Sequence, residues 1–251
     1  MSTASIRFHP EGPGGAGLED WGPLSPEGLE SGEGAQRGRF FFEDERLGLS
    51  AGVWDCTPFV GKVRPHANNE LMLLLEGSVT IEPEGGVPVT IRAGEAFYLP
   101  KGLRVRWRQP ERVRKYFVIF DGPEDAPAPA GVPTLKIDPA MALAPSTLPA
   151  AETLFGPVPE QKGKAAFIDT TGQFTIGVWE TTPYHRRPVP FPRYELMHIL
   201  EGGVTVRGPD GAGETYGPGD TFFVARGMVG DFEVTQGLRK IYGIFIEKPA
   251  A

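Results

Sequence analysis

Apolar and polar positions alternate along much of this chain in short runs, without the three-to-four spacing of a helix. Val79-Thr80-Ile81 and Val89-Thr90-Ile91 flank Glu84-Gly85-Gly86, which predicts a β-hairpin. Val204-Thr205-Val206, Pro209-Asp210-Gly211 and Glu214-Thr215-Tyr216 predict a second one. Ala96 to Leu99, Leu103 to Gln109 and Tyr116 to Phe120 continue the strands. Because strand side chains alternate between faces, Glu70, Met72 and Leu74 share one face, Arg64 and His66 another, and Val105, Trp107 and Gln109 a third. No helix of about ten or more residues is predicted. The Ala-rich stretch 139–153 supports at most a helical turn, since Pro145 and Pro149 interrupt it. The fold class expected is all-β.

The pattern occurs twice. Gly52-Val53-Trp54 returns as Gly177-Val178-Trp179, Glu70-Leu71-Met72 as Glu195-Leu196-Met197, and Leu75-Glu76-Gly77 as Leu200-Glu201-Gly202. Arg114-Lys115 returns as Arg239-Lys240 and Ile119-Phe120 as Ile244-Phe245, in the same register without a gap. Upstream, Trp21-Gly22-Pro23 answers to Phe155-Gly156-Pro157. A repeat this long is a duplicated domain, not a solenoid period. The Pro-, Ala- and Gly-rich stretch 122–134 reads as the linker.

Composition agrees: 34 Gly and 26 Pro in 251 residues suit many short strands joined by tight turns. The net charge of -7 argues against a nucleic-acid partner. The longest apolar run, Leu71–Leu75, is far too short to span a membrane, and the N-terminus lacks the apolar core of a signal peptide. With one cysteine, Cys56, no internal disulfide can form, and a cytoplasmic location is expected.

The residues resemble the cupin superfamily. Its first motif runs from a glutamate over six residues to a glycine, as Glu70 to Gly77 and Glu195 to Gly202 do. Its second motif is matched by Gly94, Pro100 and Gly102, and by Gly219 and Gly227 with Ala225 in the proline position. The Gly-Val-Trp, Leu-Glu-Gly and Arg-Lys text is similar to the cupin_3 subfamily, which includes the ethanolamine-utilisation cupin and, more distantly, two-domain ureidoglycine aminohydrolase. The resemblance implies two tandem cupin jelly-roll β-barrels related by internal duplication. Residues 1–37 would form an N-terminal arm packing on a barrel, 38–121 the first barrel, 122–162 a linker with a second arm, and 163–251 the second barrel.

Metal-dependent cupins place two histidines before the glutamate and a third in the second motif. Here those places hold Arg64, His66 and Val105, and in the second copy Val189, Phe191 and Gly230. A standard three-His-one-Glu centre is therefore not expected, nor any cofactor. A divalent transition metal on the atypical set His66, Glu70 and Gln109 is the alternative. His185, beside Arg186 and Arg187, and His198, on the opposite face from Glu195, are not expected to be ligands.

The first barrel is instead expected to bind a small polar, carboxylate-bearing metabolite. Arg64, His66, Glu70, Met72, Trp107, Gln109 and Lys115 would line the site. The second-barrel counterparts Glu195, Phe232 and Lys240 sit among Val189, Phe191, Met197, Ile199 and Val234, so that cavity reads as mainly structural. Glu70 and Lys115 are the candidates for acid–base catalysis, but each Glu–Lys pair serves equally well as a fold-specifying salt bridge. The competing functions are a metal-dependent enzyme of nitrogen or small-amide metabolism, similar to ureidoglycine aminohydrolase, and a non-catalytic sensor or assembly protein. Trp54 and Trp179 are expected in the core, and Cys56, which aligns with Thr181, is not expected to be a nucleophile. Arg104, Arg106, Arg108, Arg112 and Arg114 form an outward stripe, expected to pair with acidic residues such as Glu43, Asp44 and Glu45 or to face a subunit. A homodimer is the partner arrangement held open.

Overall fold

The structure, a computed structural model, describes residues 5–127 and 129–248. The outer ends of the predicted arm and second barrel, and Ala128 in the linker, lie outside the described residues. The chain divides into two compact units, one of Phe8–Asp138 and the other of Met1–Arg7 with Pro139–Ala251. In each, the duplicated strands form two sheets that share one apolar core.

In the unit Phe8–Asp138, one sheet carries Asn69–Glu76 between Ala96–Leu99 and Val113–Phe120, followed by Leu49–Cys56, Ala35–Asp44 and Glu19–Pro23. The other carries the predicted hairpin, Ser78–Pro83 with Val89–Arg92, beside Arg104–Gln109. Alternation aims Met72, Leu74 and Phe117 of the first sheet at Val79, Ile81 and Val105 of the second. In the second unit Met197, Ile199 and Phe222 face Val204, Val206 and Phe232 in the same way. The two sheets of a unit are not joined into a closed hydrogen-bonded ring, so the expected barrels are open ones.

Each first motif ends in a glycine for a steric reason. Gly77 and Gly202 have φ of +79° and +74°, and a Cβ would come 2.2 Å from the Arg112 carbonyl oxygen and 2.0 Å from that of Gly237. The Ala-rich stretch forms a short strand at Ala144–Pro145 and a single 3-10 turn at Ala151–Thr153.

The expected N-terminal arm is more than a cover. Glu19–Pro23 and Leu29–Gly32 are strands within the two sheets of the unit Phe8–Asp138. Ile6 and Arg7 belong to the other unit, pairing with Phe223 and Phe222 at the edge of its larger sheet. Reciprocally, the segment around Lys136 pairs with Phe97, the residue that corresponds to Phe222. Leu135 accepts from the Tyr98 amide at 2.9 Å, and the Ile137 amide donates to Ala96 at 2.9 Å. The basic residue of each arm then meets the acid that follows the second-motif glycine, Arg7 with Asp220 at 2.7 Å and Lys136 with Glu95.

The arginine stripe is corrected by the register. Arg106 lies opposite Glu82, so Arg106 and Arg108 pair with Glu82, Arg106 also with Glu30, and Arg104 with Glu84. Arg112 and Arg114 converge on Asp55, which is fully buried. Glu43, Asp44 and Glu45 are not the partners, because they lie on and after a different strand, Ala35–Asp44. No helix among the described residues is long and apolar enough to cross a membrane.

Candidate functional site

Each unit encloses a cavity above the buried motif glutamate, about 350 Å³ in the first unit and about 540 Å³ in the second. In the first, the Lys115 Nζ donates to Glu70 Oε1 at 2.6 Å and lies 3.0 Å from the Met72 sulfur. The ammonium also sits 4.9 Å from the Trp54 ring centre and 5.2 Å from that of Trp107. His66 Nε2 lies 3.3 Å from Glu70 Oε2 without forming a well-aligned hydrogen bond, so Lys115 holds one carboxylate oxygen and the imidazole flanks the other. Burial alone would raise the Glu70 pKa, but Lys115 and His66 outweigh it and bring it down to about 2.

Arg64, His66, Glu70, Trp107 and Lys115 line this cavity, as expected. Arg64 is exposed, with its guanidinium over Gly28, and has no hydrogen bond or ion pair among the described residues. Two expected members are placed otherwise. Met72 is fully buried beneath Lys115, outside the lining. Gln109 is turned into the wall: its amide nitrogen donates to the Cys56 and Thr57 carbonyls at 3.0 and 2.9 Å, and its oxygen accepts from Trp107 Nε1 at 2.8 Å. Trp54 and Trp179 pack against the cores, as expected, and also line the two cavities.

A metal does not fit these donors. Gln109 is committed to the backbone, Glu70 has Lys115 against one oxygen, and His66 is the single imidazole present. Among the described residues no group of three His, Cys, Asp or Glu side chains is arranged to hold an ion.

The second cavity repeats the pair. Lys240 Nζ donates to Glu195 Oε1 at 2.6 Å, lies 3.2 Å from the Met197 sulfur and rests 4.8 Å from the Trp179 ring centre. The third group differs. Phe191 occupies the place of His66, and Arg193, two residues before the glutamate, donates through Nε to Glu195 Oε2 at 2.9 Å. Burial would raise Glu195, but Arg193 and Lys240 outweigh it and hold it below the usual carboxylate range. Burial lowers Lys240, more than Glu195 raises it.

The expectation of a mainly apolar, structural second cavity is therefore corrected: Tyr184, Arg186, Arg193 and Tyr242 also line it. Arg193 lies in the bend just before the strand Tyr194–Gly202, and its signal in the sequence was only its place two residues before Glu195. Arg186 carried a weaker signal, because its counterpart in the repeat is Gly61. Cys56 is buried, and its thiol is pushed up to about 12 by burial and by Asp55, which suits a structural residue and not a nucleophile. His198 binds Thr221 at 2.9 Å on the far side of its strand from Glu195.

Comparison with known proteins supports the architecture. The EutQ-like cupin domain model, Cupin_3, matches residues 44–117 and 168–242. A structure of a Pseudomonas syringae protein of unknown function, from the DUF861 family, is 27% identical, with a TM-score of 0.79 over 97% of this chain and 100% of that one. Escherichia coli YlbA, also of DUF861, superposes with a TM-score of 0.53 and 11% identity over 100% of this chain and 97% of its own. A cupin 2 conserved barrel domain protein from Leptotrichia buccalis gives 0.54 and 10% over 87% and 92%. A search of the curated proteins finds no match. With more than half of its length matched in two copies, the chain belongs to the EutQ-like cupin family as a two-domain member.

Proposed function

We propose that this bicupin binds a small carboxylate-bearing metabolite in its first cavity, without a metal centre. The observation that carries the reading is Arg64: a guanidinium at the cavity lining with no anionic partner, in a protein whose net charge is -7. Lys62, Arg64, His66 and Lys115 face a single acid, Glu70, so the cavity is a local cationic focus that draws anions. A guanidinium forks a carboxylate with two parallel N–H bonds, and Trp107 and Trp54 supply the wall for an apolar remainder.

The acid–base alternative has less support. A carboxyl held at about 2 by Lys115 and His66 is a weak base at neutral pH, and Lys115 is already bonded to it. No observation favours small-amide or ureido chemistry over simple binding.

The test is calorimetric titration of metal-free protein with acetate and propionate, with the corresponding amides as neutral twins. Binding of the acids only, weakened at least tenfold in Arg64→Met, is the expected result. A stoichiometric transition metal in protein purified without chelator, lost in Glu70→Gln, would overturn the reading. So would equal binding of acids and amides.

A further inference from the structure

Arg186 stands in the strand Tyr184–Pro190, which pairs with Val229–Val234. The pairing runs regularly from Tyr184 to Arg186 and then slips before Val189 resumes it against Gly230. Such a bulge bends the strand and re-aims its side chains, and Pro188 inside it has no N–H to offer the ladder. Arg187 leaves the cavity, donating to the Leu154 carbonyl at 2.8 Å with its guanidinium 4.3 Å from the Phe155 ring centre.

Arg186 turns to the cavity. Its guanidinium lies 5.5 Å and 5.9 Å from the ring centres of Phe191 and Phe232, which stack on each other at 5.4 Å and 23°. Its one hydrogen bond is to the Pro190 carbonyl, at 3.5 Å. No carboxylate pairs with it among the described residues, because the nearby Glu195 is taken by Arg193 and Lys240. Burial, with Arg193 adding repulsion, pushes its pKa down. A half-buried cation without a counter-ion costs stability, and this one is kept where an aromatic wall meets open volume.

Other polar groups of the cavity are uncommitted too. Ser146 Oγ is buried without a partner. The hydroxyls of Tyr184 and Tyr242, each pushed up to about 12 chiefly by burial, stay protonated and make no hydrogen bond among the described residues. Lys164, also in the lining, has no ion pair there. Cations therefore outnumber the single acid, and Trp179, Phe191 and Phe232 form an aromatic wall.

We infer that the second cavity is a separate binding site for an aromatic carboxylate, its carboxylate on Arg186 and its ring against the aromatic wall. The inference does not depend on ligand binding in the first cavity. Its greater volume, about 540 Å³ against about 350 Å³, suits the larger ligand.

The experiment is calorimetric titration of the full chain with benzoate. Benzamide serves as the uncharged twin, acetate as the twin without a ring, and inorganic phosphate as a different anion. Wild type, Arg186→Met, Arg186→Lys and Arg64→Met are compared, and melting temperatures confirm that each is folded. At the Arg186-dependent site benzoate should bind Arg64→Met as it binds wild type, Arg186→Met at least tenfold more weakly, and Arg186→Lys, which keeps the charge but loses the fork, with intermediate affinity. Benzamide, acetate and phosphate should each bind at least tenfold more weakly than benzoate. Absence of benzoate binding, equal binding of benzamide or phosphate, or unchanged affinity in Arg186→Met would overturn the inference. Loss of benzoate binding in Arg64→Met alone would overturn it as well, while leaving the first-cavity reading standing.

Discussion

The two cavities share a buried Glu–Lys pair with the same 2.6 Å contact and nearly the same seat on a methionine sulfur and a tryptophan face. They differ in what holds the second carboxylate oxygen: His66, four residues before the glutamate, or Arg193, two residues before it. What both copies keep is the Glu–Lys pair, the constant of the comparison, and the groups around it, Arg64 with His66 in one copy and Arg186 with Arg193 in the other, are where the copies differ.

The comparison is tested most severely by removing the constant. Glu195→Gln leaves buried Lys240 and half-buried Arg193 without their anion, Arg193 being unable to shed its charge, and should cost about 3–5 kcal/mol. Glu70→Gln strands no arginine, only Lys115 beside an imidazole that can be neutral, and should cost less. Calorimetric melting of the two variants checks the order. Equal losses would mean that the third partner contributes nothing to either pair.

Acid provides the next largest effect. The fold lowers the Glu70 carboxyl from its usual 4.5 to about 2. The native chain thus gives up this proton more readily than the unfolded one. The resulting stability is complete above about pH 4.5 and drains away as the pH falls towards 2, amounting to roughly 3 kcal/mol in full. Glu70→Gln should flatten that part of the stability profile between pH 5 and 2, measured by denaturant titration. An unchanged slope would show that other carboxylates dominate it.

These pairs were legible in the sequence because repetition exposes what both copies keep, and the hairpins were legible because alternation and turn residues are local signals. Gln109 shows the limit of face arithmetic: it lies on the expected strand, yet two carbonyls at Cys56 and Thr57 claim its amide. The partners of Arg106 and Arg108 required the register between the hairpin and the neighbouring strand, which brings Glu82 opposite Arg106. The arms were illegible for a different reason. The two-residue strand Ile6–Arg7 carries no periodicity and its partners lie more than two hundred residues away, while Lys136 pairs through a single bridge with Phe97.

The arms repeat the comparison at smaller scale. Arg7 reaches Asp220, Glu214 and the Thr215 carbonyl and lies 4.2 Å from the Tyr216 ring centre, whereas Lys136 has Glu95 alone. Both side chains are partly exposed, so Arg7→Ala should cost about 1 kcal/mol and Lys136→Ala a few tenths. Protease sensitivity of the N-terminus should rise in Arg7→Ala before global melting does. If both variants melt like the wild type, the ladder and the buried apolar residues hold the arms by themselves.

The smallest effect should come from rewriting one copy as the other. His66→Phe alone leaves one oxygen of buried Glu70 without its partner, whereas His66→Phe with Asn68→Arg supplies the arrangement of Phe191 and Arg193. Residue 68 can accept the change, because the Asn68 side-chain oxygen is buried without a hydrogen bond and nothing is lost by replacing it. If the third group is interchangeable, the double variant should lie within about 1 kcal/mol of wild type and be more stable than His66→Phe alone. Its pH profile should keep the Glu70 contribution, since an arginine holds the carboxylate ionised at least as well as an imidazole does. A double variant no better than the single one would show instead that each third partner is fitted to its own cavity, and that the two copies are no longer two versions of one design.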